Sequence, residues 1–263
     1  LITLKKLFLT FIHLFLSASV LLAGVDGDGT DDFADVGTAT NIPTGGNMSI
    51  FAVFSSDATS GMAISRQDSG AGVSDNWFLG VIASGADFQV RFQKKKSTFQ
   101  EHHSVTGSGI FTVGSTVRVA ASMNTDNNVC GINVNGTDDT TCSFRYNENI
   151  NSPAGVTFLA QRNGASRSGF LNGTVYHVCI YNTNLDATNR ARLVNGFTKN
   201  ICKQVSPSNL VAEWHLQDAP HGESLDGDTF ADMTSNNNDA TGDNGANNTG
   251  LTAVAEKVLS YEE

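Results

Sequence analysis

The chain has 263 residues, with 26 glycines but only 4 prolines, 40% apolar residues and a formal net charge of −10. The acidic balance argues against nucleic-acid binding, which wants a basic footprint. Abundant Gly, Asn, Asp, Ser and Thr between short apolar runs argue for an all-β domain. The charge is uneven, because residues 203–263 hold 2 basic and 11 acidic groups. Such an end suits solubility or cation binding.

Residues 1–23 read as a signal peptide or an untranslated leader. Lys5 and Lys6 precede a mostly apolar run, and Ser17 and Ser19 frame a small-x-small cleavage site, with Ala23 as the alternative. Val25 stands where a lipidation box needs Cys. The first Met is Met48, which keeps the untranslated reading open. An uncleaved anchor is the third reading, though the run is short for a span. Residues 24–250 then form one domain and residues 251–263 an acidic tail.

Gly24–Gly37 reads as a strand with an acidic turn. An EF-hand loop counted from Asp26 fails, since Asp31 takes the place of the invariant Gly and Gly37 that of the bidentate Glu. Asn47–Ser56 is a second strand. Trp77-Phe78-Leu79 and Val81-Ile82 are apolar on both faces and predict a central strand covered on both sides. Phe88, Val90 and Phe92 alternate with Gln89, Arg91 and Gln93, so one face is buried and one wet. Lys94, Lys95 and Lys96 read as a solvated hairpin tip. His102 and His103 point to opposite faces of a strand, which makes them surface or half-buried residues rather than a chelating pair.

In Ser115–Phe144, Val117, Val119 and Ala121 point inward, Ile132 and Val134 share a face, and Asn135-Gly136 is a strong hairpin signal. Cys130 and Cys142 flank that turn, which places them on facing strands. Four cysteines with an export leader allow three pairings. Cys179 lies on a strand and Cys202 follows the helix returning beside it, so the pairs expected are Cys130–Cys142 and Cys179–Cys202.

Gly169–Phe197 organises the chain. Val175, Tyr176, Val178, Ile180 and Tyr181 form a strand. A short helix near 186–195 follows, with Asp186 as N-cap and Gly196 as its stop. Ten residues cannot hold a helix alone in water, so this one must dock on the sheet. Farther on, Leu210, Ala212, Trp214 and Leu216 alternate with Val211, Glu213 and His215, and Trp214 reads as core rather than as a sugar platform. Asp226, Asp228 and Asp232 then offer hard oxygen ligands in a Gly-containing loop, a candidate Ca²⁺ site.

Stretches spread along the chain, in order, resemble laminin-G-like, concanavalin A-like sandwich domains of secreted bacterial and phage virion-associated proteins. Asp31, Asp32 and Phe33 match the family's FDG-x-DD-Y opening. The strand at Asn47–Ser56 matches its second. Val117, Val119, Ala121, Asp126 and Val134-Asn135-Gly136 match its R-containing strand and NG hairpin. Gly173, Val175, Val178, Ile180, Tyr181, Asn182, Leu185 and Ala187 match its closing strand and helix. Asp232, Asn236, Asn238 and Thr241 match a final D-x-S-G-N segment, with Ser235 and Asn237 departing from its Gly positions. The resemblance implies an all-β jelly-roll sandwich of two antiparallel sheets with one short helix.

The fold also carries glycosidases, but the E-x-D-x-x-E strand that sets two carboxyls for retaining hydrolysis is missing. The pairs Asp31/Asp32 and Asp138/Asp139 are adjacent and diverge if they lie on strands. No enzyme is expected. The reading is a secreted or surface recognition module for a glycan or a protein, without stable membrane insertion once the leader is removed. The alternative is a structural phage virion protein with assembly partners.

Overall fold

The computed structural model describes residues 20–37, 41–43, 47–66, 77–96, 101–124, 127–146, 155–163, 166–196, 198, 200–216, 224–243 and 251–259. Among these, strands dominate and form two large antiparallel sheets. The first holds β1 (Val20–Asp28), β3 (Asn47–Ser55), β8 (Thr116–Asn124), β9 (Val129–Val134), β10 (Thr137–Asp139), β15 (Asn172–Tyr181), β16 (Leu210–His215) and β19 (Thr252–Leu259). Their order is β10-β9-β8-β3-β15-β1-β19, with β16 also on β15. The second holds β2 (Phe33–Gly37), β4 (Gly61–Arg66), β5 (Trp77–Ser84), β6 (Asp87–Lys96), β7 (Glu101–Thr106), β11 (Cys142–Tyr146), β12 (Val156–Phe158), β17 (Thr229–Phe230) and β18 (Ala240–Asp243). Its order is β11-β7-β6-β5-β4-β12-β2-β18-β17. A small hairpin joins β13 (Gln161–Asn163) and β14 (Ser166–Ser168).

The main core lies between the sheets. Ile50, Ala52 and Phe54 of β3 and Val117, Val119 and Ala121 of β8 share it with Leu79 and Val81 of β5 and Phe88, Val90 and Phe92 of β6. Trp214 is fully buried there, its ring edge-on to Phe158 at 5.0 Å and its indole N–H donating to the Asn238 carbonyl at 2.8 Å. It is core, as its alternation predicts. Leu210 is an exception to that alternation. The register slips between Ile180 and Tyr181, so Val211 joins the main core and Leu210 packs on the outer face.

A second core covers the outer face of the first sheet. Phe51, Val53, Ala120, Tyr176, Cys179 and Tyr181 meet Leu193 and Val194 of helix α1 (Ala187–Asn195), and Ile201, Cys202 and Val205 of helix α2 (Ile201–Val205). The doubly covered strands are therefore β3 and β15, not β5. On β5, Phe78 and Ile82 keep partial exposure. Among the described residues, both helices lie over the first sheet and neither over the second.

Helix α1 starts where its sequence predicts: the Asp186 carboxylate accepts the Asn189 N–H at 2.8 Å. Its end differs from the expected left-handed glycine, because Gly196 has φ −83°. Arg118 of β8 closes the helix instead. Its guanidinium donates to the carbonyls of Val194 (2.6 Å), Leu193 (3.0 Å) and Gly196, a cation on the negative end of the helix dipole. Gly196 is needed for space, since a Cβ there would stand 2.3 Å from the Ile201 side chain. The sequence signals one helix; α2 is a second, too short for a periodic pattern and pinned by the Cys179–Cys202 disulfide.

Both expected disulfides form. The reason for the first differs. Asn135 and Gly136 both have positive φ, 50° and 93°, and turn β9 into β10. Cys142 lies beyond that hairpin on β11, so Cys130–Cys142 joins the two sheets at one edge.

Three other expectations change. Lys94 is not at a hairpin tip: β6 continues through it, opposite Trp77 and His103, and both Lys94 and His103 are buried. Residues 252–259 of the expected tail pair with β1 as the last strand. Leu251 and Ala253 are buried in the main core. The leader lies outside the described residues as far as residue 19, whereas Val20–Ala23 begin β1. Asp126 also lies outside them.

Candidate functional site

The candidate site is the turn that carries the chain from β1 in the first sheet to β2 in the second. Gly29 has φ +80° and packs on Asn172, where a Cβ would come within 2.7 Å of the Asn172 Cβ. The turn folds back on its own carboxylates. Asp28 Oδ1 accepts the Thr30 N–H at 2.7 Å, and Asp32 Oδ2 accepts the Asp28 N–H at 2.8 Å. Asp31 and Asp32 precede β2, so the strand rule that would send them to opposite faces does not apply. One carboxylate oxygen from each of Asp28, Asp31 and Asp32 lies within 4.8 Å of the others.

Asp28 is exposed, whereas Asp32 is only 1% exposed, and its Oδ1 has no hydrogen-bond partner. Burial pushes its carboxyl up. The Asp28 N–H opposes that, the Asp28 and Asp31 carboxylates add to it, and the result is about 6. Asp26 is raised too, chiefly by burial and partly by Asp57, against the hydrogen bond it accepts from the Thr174 hydroxyl at 2.6 Å. Asp57 donates its own N–H to the Asn172 carbonyl at 2.7 Å. Three connections thus meet at one rim: β1–β2, β3–β4 and the entry to β15.

The structure does not gather Asp226, Asp228 and Asp232. Among the described residues, two groups of His, Cys, Asp or Glu donors close to within 4.8 Å, and neither contains any of the three. Asp226 and Asp228 are exposed on the turn before β17. Asp232 is buried and serves as a hub. Its Oδ1 accepts the N–H groups of Glu213 (3.0 Å) and Thr234 (2.9 Å). Its Oδ2 accepts the Thr234 hydroxyl (2.9 Å) and the Asn238 N–H (3.0 Å) and side-chain amide (2.9 Å). That is a full set of acceptor sites. Asn237, at a position where the resemblance has Gly, sits at φ 51°, which Asn tolerates.

The other donor group, His177, Cys179, Cys202 and Glu213, is closed and buried beneath α2. Glu213 Oε1 lies 3.3 Å from His177 Nε2 and 2.9 Å from His215 Nε2. Burial alone would raise Glu213, but hydrogen bonds from both imidazoles and their positive charge outweigh it and hold the carboxyl at about 2. Burial lowers His177. Those two directions conflict in part, since a neutral His177 carries no charge to share. The geometry supports an anionic Glu213 accepting a neutral His177 N–H. In the sequence His177 lies unremarked within the strand of Val175–Tyr181, and Glu213 only alternates with Ala212 and Trp214. Their pairing needs the β15–β16 register, which sets His177 opposite His215 and Cys179 opposite Glu213.

The pH dependence follows in sign. Glu213 sits below its ordinary value in the fold, so its contribution is present above about pH 4.5 and is lost as pH falls toward 2. His177 is held neutral, so protonation of the unfolded chain below about 6.5 adds to the loss. Asp32, raised to about 6, acts in the opposite direction as pH falls below 6, so in thermal melts the difference between parent and Glu213→Gln, rather than the parent's own curve, isolates this pair. Glu213→Gln should be less stable at pH 7 and flatter below pH 4.5; parallel curves for parent and variant would refute the assignment.

No protein-family model matches the chain, and no curated protein resembles it in sequence. Solved structures do resemble it in fold. A Bacteroides ovatus protein assigned to carbohydrate binding superposes with TM-score 0.55 at 12% identity, over 89% of this chain and 60% of its own. The chain thus spans about 60% of that protein's length. The heptameric SAP-like pentraxin of Limulus polyphemus gives TM-score 0.49 at 9% identity, over 68% of this chain and 84% of its own. The Ruminococcus gnavus sialidase CBM40, bound to α2,3 sialyllactose, gives 0.45 at 10% identity, over 64% and 96%. The chain has a jelly-roll sandwich fold. Identity this low speaks for the fold alone.

Proposed function

We propose that this jelly roll is an exported or surface-displayed recognition module that binds a glycan at its rim and does not cleave it. The observation that carries the reading is the rim itself. Asp28, Asp31 and Asp32 bring carboxylate oxygens together on the β1–β2 connection, and the exposed Asp57 of the β3–β4 connection acts on the nearby Asp26. Carboxylates accept hydrogen bonds from sugar hydroxyls, and rigid loops hold them without large ordering costs. The shared fold with a protein assigned to carbohydrate binding agrees with this. Two disulfides favour an oxidising compartment over cytoplasmic virion assembly. Among the described residues, no helix is long and apolar enough to cross a membrane.

The test is a glycan array probed with disulfide-intact protein, followed by titration of the hits. At least one glycan class should bind, and Asp57→Ala should weaken it about tenfold, the cost of about 1.4 kcal/mol of lost hydrogen bonding. Bound glycan incubated with protein should release no reducing ends. An array without hits, or reducing ends whose release depends on an Asp, overturns the reading.

A further inference from the structure

We infer that the chain, once its Cys179–Cys202 disulfide is reduced, holds one Zn²⁺ on His177, Cys179, Cys202 and Glu213. The inference is independent of glycan binding. It rests first on convergence from three elements. His177 and Cys179 are two residues apart on β15 and so share a face, Glu213 stands opposite Cys179 on β16, and Cys202 comes from α2. One donor atom from each lies within 4.8 Å of the others, and all four residues are buried. The second observation is the spacing around His177 Nε2. It lies 3.2 Å from Cys179 Sγ, 3.8 Å from Cys202 Sγ and 3.3 Å from Glu213 Oε1. Tetrahedral Zn²⁺, with bonds of about 2.3 Å to sulfur and about 2.0–2.1 Å to nitrogen and oxygen, puts neighbouring N and S about 3.6 Å apart and N and O about 3.4 Å apart. The imidazole and the carboxylate already have that spacing, and only the two sulfurs must part.

The donor chemistry selects the ion. Two thiolates, an imidazole and a carboxylate suit Zn²⁺, whereas Ca²⁺ and Mg²⁺ take oxygen ligands. Four protein ligands with no open position make a structural site rather than a catalytic one. Outer partners orient the ligands: His215 Nε2 lies 2.9 Å from Glu213 Oε1, and Phe51 stands edge-on to the His177 ring at 5.6 Å. Disulfide and metal exclude each other. A phosphine reductant takes the oxygen of one water, and the two sulfurs take its two protons as the S–S bond breaks. Zn²⁺ then displaces both thiol protons to solvent. A small disulfide reverses this: it accepts two electrons and two protons as two thiols, the S–S bond re-forms and Zn²⁺ leaves. Either link pins α2, whose five residues cannot hold a helix alone, onto the first sheet. The metal serves in reducing surroundings and the disulfide in oxidising ones.

The experiment uses the full chain carrying Cys130→Ser and Cys142→Ser, which leaves Cys179 and Cys202 as its cysteines. Reduced with a phosphine and stripped by chelator, it should bind one equivalent of Zn²⁺. At a hundredfold excess over Kd the melting temperature should rise by about 5–10 °C. Co²⁺ in place of Zn²⁺ should give tetrahedral ligand-field bands and a thiolate charge-transfer band, and His177→Gln should abolish that spectrum. His215→Gln, which keeps all four ligands, should weaken binding about tenfold. Should the reduced chain unfold, Zn²⁺ should restore its circular dichroism, because binding energy then becomes folding energy, and His177→Gln should lose that restoration. The disulfide-intact form should bind no Zn²⁺. The site is overturned by a reduced chain that neither binds nor refolds with Zn²⁺, or by equal binding with the disulfide intact. It is also overturned by a Co²⁺ spectrum that His177→Gln leaves unchanged, or by the same spectrum from a reduced chain carrying Cys179→Ser and Cys202→Ser instead. No glycan is present, so glycan-array failure and metal-site failure remain separate results.

Discussion

Replacing Asp138 with alanine is expected to lower the melting temperature by about 6–12 °C, from a loss of about 3 kcal/mol in a domain of this size. Asp138 lies on β10, just past the Asn135-Gly136 turn, and receives a two-pronged bridge from Arg190 of α1: Nε at 2.9 Å and Nη2 at 2.7 Å. The Arg190 side chain is 5% exposed and that of Asp138 26%. Arg190 also donates to the Ser122 hydroxyl (2.9 Å) and the Leu185 carbonyl (2.8 Å). Gly131 makes room for it, because a Cβ there would stand 2.3 Å from the guanidinium carbon. Removing the aspartate leaves a buried cation with half its hydrogen bonds and α1 with a weaker hold on the sheet. The partial exposure of Asp138 places the loss at the low end of buried-pair values. Combining Asp138→Ala with Arg190→Met should cost less than the sum of the two, since the stranded charge goes as well. A single-variant loss below about 1 kcal/mol in denaturant melts would make the bridge no different from a surface pair.

Removing the Cys179–Cys202 disulfide should cost more than removing Cys130–Cys142. Cys179 and Cys202 are separated by 23 residues and both are fully buried, so the change opens a longer loop in the unfolded chain and leaves a cavity between β15 and α2. The Tyr181 hydroxyl, which donates to the Cys202 carbonyl at 3.1 Å, and the His177–Glu213 pair lie in the same layer. Replacing both cysteines with alanine should destabilise by about 4 kcal/mol, near the upper end for a native disulfide. The Cys130–Cys142 bridge spans 12 residues at a sheet edge, with Cys142 only half-buried, and about 2–3 kcal/mol is expected there. Urea midpoints of the two double variants give the ranking directly. The reverse order would mean that tying the sheets at their edge matters more than holding the helical layer.

Features that depend on local spacing were legible in the sequence. Alternation in Phe88, Val90 and Phe92 assigns a buried face without knowledge of the partner strand, because side chains on a strand alternate with period two. Asp186 ahead of α1 and Asn135-Gly136 between β9 and β10 act within a few residues of themselves, so their geometry follows from residue type. Trp214 reads as core for the same reason of period. The overall sandwich follows from many such strands and a resemblance spread along the chain.

What only the tertiary structure decided are the meetings of residues whose positions depend on register and layering. Whether Lys94 is a tip or a buried strand residue depends on how far β6 pairs with β7. Whether β3 or β5 is covered on both faces depends on where α1 and α2 land. Arg118 as a helix cap and Glu213 between two imidazoles each require elements far apart in the chain to be brought together in one register. The acidic residues show the limit most directly. Asp226, Asp228, Asp232 and Asp28, Asp31, Asp32 have similar spacing in the chain, yet Asp232 is drawn into a buried hydrogen-bond hub while the other three converge on a turn between sheets. Spacing sets which carboxylates are available; backbone donors, burial and the crossing from one sheet to the other decide where their oxygens point.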